Sequence, residues 1–160
     1  MKFLKTHYGR AINIIPSDTV NIPNPAGLGS KGVTTDSSAS ALIDGNANFT
    51  TNLLGAIVVN ITDGTIANVI GFTNNTTILL DADIFGSDGL GYSVYNSVNN
   101  EGCSIYIPKQ APAKLTVMTV GGDVILFDNC GDTQASSILP VNVLKVLSTD
   151  TAITGLVALW

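Results

Sequence analysis

Charge is what this sequence has least of. Asp, Glu, Lys and Arg make up 12% of its 160 residues, about half the share usual in soluble domains. The side chains that coat solvated helices are nearly missing: Glu occurs once, at Glu101, Arg once, at Arg10, and Gln twice, at Gln110 and Gln134. A predominantly helical fold is therefore excluded. His7 is the only histidine, which rules out a zinc site built on paired imidazoles and gives a His-based nucleophile a poor start. Cys103 and Cys130 allow at most one bridge, and they read as small buried hydrophobes rather than nucleophiles. The net charge of −5 comes without any Lys/Arg cluster that could neutralise several phosphates, so nucleic acid is not expected as a ligand. No segment approaches the roughly 18 apolar residues of a spanning helix. Residues Met1 to Tyr8 lack the apolar run of a secretory signal.

What fills the gap is Thr, Asn, Ser and Gly, alongside 45% apolar residues rich in Ile and Val. Disordered chains are poor in such residues, and the composition predicts an all-β protein. Solubility then rests on hydroxyl and amide side chains, or on burial of surface in an assembly. The length fits one domain or one domain carrying an insertion.

Three segments follow one another. In the first, Asn21-Ile22-Pro23-Asn24-Pro25 has two prolines that remove ladder donors and predict an edge strand or a strap. Ala26 to Gly32 reads as a flexible loop that ends the segment. In the second, short strands recur about every ten residues: Ala41–Ile43, Leu53–Thr62, Thr65–Phe72, Thr76–Leu80 and Tyr92–Tyr95. That spacing predicts an antiparallel meander or small barrel. Asp63-Gly64 predicts a tight primed turn between Val58 and Ile70. In the third, Ser104–Ile107 ends at Pro108, and Lys114–Val120 turns at Gly121-Gly122 into a second hairpin arm, Asp123–Phe127. Ser137 to Leu147 has apolar residues on both faces and should be a central strand. Ala152 to Trp160 stays apolar to its end, which predicts docking in a sheet or at a subunit contact.

Motifs for chemistry fail on their context. Gly27-Leu28-Gly29-Ser30-Lys31-Gly32 has the glycine spacing of dinucleotide loops, but prolines precede it and no helix follows to hold a pyrophosphate. Asp81, Asp83 and Asp88 begin like a calcium loop, yet Phe85 takes a ligand position and Tyr92 stands where the bidentate Glu belongs. Asn48, Asn60 and Asn75 head glycosylation acceptor triplets, a match that a Thr- and Asn-rich chain produces by chance. Eleven Asp lie in loops and no pair stands out. No catalytic, cofactor-binding or metal-binding residue is assigned.

Four stretches resemble one family. Asn13-Ile14-Ile15-Pro16-Ser17-Asp18-Thr19-Val20-Asn21-Ile22-Pro23, Gly121-Gly122-Asp123-Val124-Ile125-Leu126-Phe127, Ile138–Leu147 and Thr151–Trp160 resemble the small β-domain of phage and gene-transfer-agent head-spike base proteins. Those proteins read as a "PSDTV" start, a "GGDV" hairpin, a "LPVRV" strand and an "IVALY" or "IVALW" end. The resemblance covers residues 11–25 and 103–160, and departs at Asn142, where many relatives carry Arg. Leu42–Phe49, Gly55–Thr65 and Leu79–Phe85 are similar to a β-repeat common in phage virion proteins. The resemblance implies a β-sandwich or jelly-roll-like docking and oligomerisation domain, residues 11–33 plus 98–160, with an inserted β-domain at 34–97. It further implies a non-enzymatic virion component, a capsid decoration (cement) or head-spike base protein on the shell exterior, made in the host cytoplasm. The implied partners are the major capsid protein, further copies in a trimer or pentamer, and a head fibre or spike, with no nucleic acid and no membrane. A tail, neck or baseplate protein and a carbohydrate- or receptor-binding module are the competing readings.

Overall fold

The computed structural model describes residues 8–96 and 101–160; His7 and the expected boundary at 97/98 lie outside them. The described chain is all-β and antiparallel, with two six-stranded sheets. It divides into two compact units. Unit 1 joins the chain up to Pro25 with Glu101–Trp160, and unit 2 is the stretch between, from Ala26. Among the described residues no helix is long and apolar enough to cross a membrane.

The strands of unit 1 are β1 (Ala11–Asn13), β8 (Cys103–Ile107), β9 (Ala113–Thr119), β10 (Val124–Cys130), β11 (Ser137–Val146) and β12 (Val157–Leu159). Their order in the sheet is β1-β12-β8-β11-β9-β10. β8 shows the simplest logic: Cys103, Ile105 and Ile107 are buried while Ser104 and Tyr106 are half-buried, the two-residue period of a strand with one face on a core. β11 is central, as its two apolar faces predict. Its first half pairs with β8 and its second with β9. Pro140 is tolerated inside it because the register with β8 shifts between Leu139 and Val143, so the missing donor falls where the ladder is interrupted. The β9–β10 hairpin forms as expected around Gly121-Gly122, with Gly122 at φ +89°. The core gathers Ile105, Leu115, Val117, Val143 and Ala158, none of them exposed.

The stretch of residues 14–24 is a strap rather than a strand. Ser17 N donates to the Val146 carbonyl and Ile22 N to the Leu144 carbonyl, while Val20 and Ile22 are buried. The end of the chain is shorter as a strand than expected. Ile153 and Leu156 are buried in an irregular stretch that turns at Gly155, φ +68°, and only β12 joins the sheet. It lies between β1 and β8, paired on both sides. Of the two placements expected for the chain end, docking in a sheet is the one seen, with both hydrogen-bonding edges of β12 used within its own sheet.

Unit 2 contains β2 (Leu28–Val33), β3 (Ala41–Ile43), β4 (Ile57–Asn60), β5 (Thr65–Asn74), β6 (Thr77–Leu80) and β7 (Gly91–Tyr95), in the order β2-β7-β4-β5-β6-β3. The expected meander holds for β4-β5-β6. β5 pairs with β4 through Asn68 and with β6 from Val69, with two register shifts in that second half, so the sheet changes direction along one strand. Leu42, Val58, Ala67, Ile78 and Val94 line the core, with Phe49 and Phe85 tilted against Tyr92.

Two expectations fail here. Ala26–Gly32 is not a flexible linker: Leu28–Val33 pairs with β7, which moves the unit boundary from 33/34 to 25/26. Its glycines serve close approach, since a Cβ on Gly32 would lie 2.6 Å from Asp44 Oδ2 and 2.7 Å from Tyr92 Oη. The β4–β5 turn is also longer than a two-residue primed turn. Asn60 pairs with Thr65, Gly64 N donates to the Asn60 carbonyl, and Gly64 sits at φ +68°. Asn60 closes the four-residue loop with its side chain, accepting from Thr62 N at 3.0 Å and Asp63 N at 3.1 Å.

Candidate functional site

Unit 1 brings the four family-like stretches together and gives each residue type a physical reason. Ser17 Oγ accepts from Val20 N at 3.0 Å, the local turn that hydroxyl residues make with their own backbone. The Asp18 carboxylate accepts from Thr149 N, Ser148 Oγ and Thr149 Oγ1 at 3.0, 2.7 and 2.9 Å. Those bonds, Thr149 N foremost, hold its carboxyl below the ordinary aspartate value. Lys145, buried on β11, donates from Nζ to the Asp18 carbonyl at 3.2 Å. This constellation is a clasp between strap and sheet: its polar groups are spent on one another.

The residues singled out for chemistry do not assemble a site. Asp81 takes Asn68 N and Asn68 Nδ2 at 2.7 and 2.6 Å, while Asp83 and Asp88 are exposed and Phe85 is buried in the core. Among the described residues no group of three His, Cys, Asp or Glu side chains is placed to hold a metal. Cys103 and Cys130 are both free and buried. Burial pushes the Cys103 thiol up to about 12 and raises that of Cys130, which leaves neither as a thiolate nucleophile near neutral pH. Asn60, 0% exposed, donates to Asp63 Oδ2 and the Ile84 carbonyl, so this acceptor triplet is closed to a glycan; Asn48 and Asn75 are exposed.

Unit 2 has a groove of about 620 Å³ whose polar lining includes Ser30, Thr34, Thr35, Asn46 and Asn48. At its floor Tyr92 donates to Asp44 Oδ2 at 2.7 Å. Burial, then the Asp44 carboxylate, raises the tyrosine above its usual range. Asp44 also accepts from Asn46 N at 2.9 Å. The groove offers hydroxyls and amides, but its one ring, Tyr92, is buried and cannot stack on a ligand.

The second candidate is an edge. β10 ends the unit 1 sheet and pairs only with β9. Val124, Ile125 and Leu126 are 56%, 37% and 44% exposed, so side chains on both faces of the strand are open. Thr119 N donates to the Asp123 carbonyl, and antiparallel alternation then leaves the main-chain groups of Val124 and Leu126 pointing away from β9. An apolar strand with unpaired donors and acceptors is a template for another strand. The sequence reads this run as a strand, but nothing local in it marks an edge. No protein-family model, no curated protein and no solved structure matches the chain.

Proposed function

We propose that this protein is a non-enzymatic structural component of a phage-like particle, a decoration or head-spike base protein on the outside of the capsid. One observation carries the reading: a β unit with an exposed apolar edge strand, β10, holds a second β unit between Pro25 and Glu101. Isolated soluble domains blunt their edges with charge, bulges or cover; β10 has a register shift after Phe127 but leaves the apolar residues 124–126 ahead of it open, a surface an assembly protein can use. The four family-like stretches converge on that unit and supply its strap, hairpin, central strand and final strand. Further exposed apolar side chains, Ile61 and Ile70 among them, fit a protein that buries surface in an assembly.

Cross-linking of intact particles tests the placement. Lys114 is the probe, since it is exposed while Lys145 is buried with its amine on the Asp18 carbonyl. Links from Lys114 to the major capsid protein are expected. Links confined to tail, neck or baseplate proteins would overturn the capsid placement in favour of that location. The groove of unit 2 supports a second reading, a glycan- or receptor-binding module; micromolar binding on a glycan array, lost in Asn46→Ala, would put that reading first.

A further inference from the structure

We propose that copies of this chain join head to tail by β-strand addition, β10 of one copy pairing antiparallel with β1 of the next. The proposal rests on the reading of the protein as an assembly component and names the contact that assembly would use.

Every ladder in the unit 1 sheet is antiparallel and the sheet has six strands. Its two edges, β1 and β10, therefore run in opposite directions. When the β10 edge of one copy meets the β1 edge of another with the sheets in line, the new pair is antiparallel, like every other pair in the sheet. An odd number of strands would have given a parallel junction.

The main-chain groups are available on both sides. Arg10 exchanges hydrogen bonds with Trp160, and Ile14 N donates to the Leu156 carbonyl. The edge is thus extended from Arg10 to Ile14, and alternation turns the donors and acceptors of Ala11 and Asn13 outward. Both residues are exposed, and no described strand pairs with the outer side of β1 or of β10.

Charge selects this pairing over self-pairing. Between Leu115 and Leu144 the chain carries Asp123, Asp128 and Asp132 and no Lys or Arg; residues 1–10 carry Lys2, Lys5 and Arg10 and no Asp or Glu. In an antiparallel junction the Asp128 end of β10 lies beside the Arg10 end of β1, so opposite charges meet. Two β10 strands paired about a two-fold would instead bring Asp123 of each toward Asp128 of the other, like charge on like. A heterologous contact that repeats closes a ring when its rotation allows, and extends as a filament otherwise.

The test uses the full chain with cysteines at exposed edge positions, the native thiols being buried. Ala11→Cys and Leu126→Cys are purified separately, then oxidised alone and mixed. The expected result is a disulfide-linked dimer in the mixture and none in either protein alone. The double variant should give a ladder of linked species, ending at a fixed size for a ring. Self-linking of Leu126→Cys alone would replace this contact with a two-fold one. An oligomer by light scattering without any link, or a monomer at every concentration tried, would sink it. Leu126→Lys should abolish the oligomer while leaving the thermal transition in place; an unchanged oligomer counts against the proposal. Lys114 links to the shell from copies that show no Ala11–Leu126 contact would retire the ring and leave the capsid reading standing.

Discussion

Cys103 opens β8 with its thiol buried and directed at the Val143 carbonyl, 3.4 Å away. Cys130 closes β10 with two strands, β9 and β11, between it and β8. A thiol held neutral by burial reacts slowly, because the thiolate is the nucleophile. A thiol reagent at pH 8 should therefore titrate neither cysteine in the native protein and both in denaturant; rapid labelling of the native protein would contradict the packing of unit 1. Asn60 is the other residue whose environment fixes its chemistry. Fully buried, it uses both hydrogens and its oxygen on Asp63, Thr62 and the Ile84 carbonyl. Asn60→Ala should cost about 2–3 kcal/mol, since buried partners are left unmade. Asn60→Asp should cost more, because an acceptor would then face the Ile84 carbonyl and Asp63. Urea unfolding monitored by circular dichroism measures both, and an alanine variant as stable as the parent would show the network to be dispensable.

Among the elements, the strap and the last strand carry separate expectations. Asp18 clasps the strap to Ser148 and Thr149 with its carboxyl held below the ordinary value. A depressed folded-state value means that the stabilisation is complete above the unfolded aspartate value, about 3.9, and is lost as pH falls through the lower folded value. Asp18→Asn should thus melt below the parent at pH 7 and approach it under strongly acidic conditions; parallel curves at all pH values would assign the clasp to neutral hydrogen bonding. Deleting Val157–Trp160 removes a strand flanked on both sides. The expected outcome is loss of the unit 1 thermal transition rather than a folded chain of smaller assembly size in size-exclusion chromatography.

How much of this was legible depends on the range of the cause. Ala41–Ile43, the Gly121-Gly122 hairpin and the central place of Ser137–Val146 follow from local pattern, and they form. Leu28–Val33 was hidden because Gly29 and Gly32 look like flexibility, whereas each makes room for a side chain remote in sequence, Asn96 for the first and Tyr92 with Asp44 for the second. Asp63-Gly64 signals a short loop, while Asn60, two residues before the expected four-residue turn, decides the length of the β4–β5 connection. The β10 edge was illegible in principle. A run such as Val124-Ile125-Leu126-Phe127 reads as a buried strand, and only the order of strands, set by pairings across the whole unit, reveals that no described strand pairs with its outer side.

At the scale of the molecule, two cores account for two units. The core of unit 1 contains no residue between Ala26 and Asn96, and the core of unit 2 draws only on that stretch. A chain in which residues 26–100 are replaced by a flexible linker should fold as unit 1, with Cys103 and Cys130 still protected from thiol reagents. Exposed thiols and a missing cooperative transition would mean that the inserted unit is needed for the other to fold.

The covalent route between the units also sets how force travels. The return crossing at Glu101 reaches β8 within two residues, and β8 is held by β12 on one side and β11 on the other. Tension applied to the inserted unit therefore enters unit 1 both through the strap that ends at Pro25, held by isolated hydrogen bonds, and through β8, a strand anchored along both flanks. That strand must be drawn out against two ladders at once, and forced unfolding is governed by that barrier rather than by equilibrium stability. Under a load that arrives through its insertion, the strap of this fold yields before β8 does.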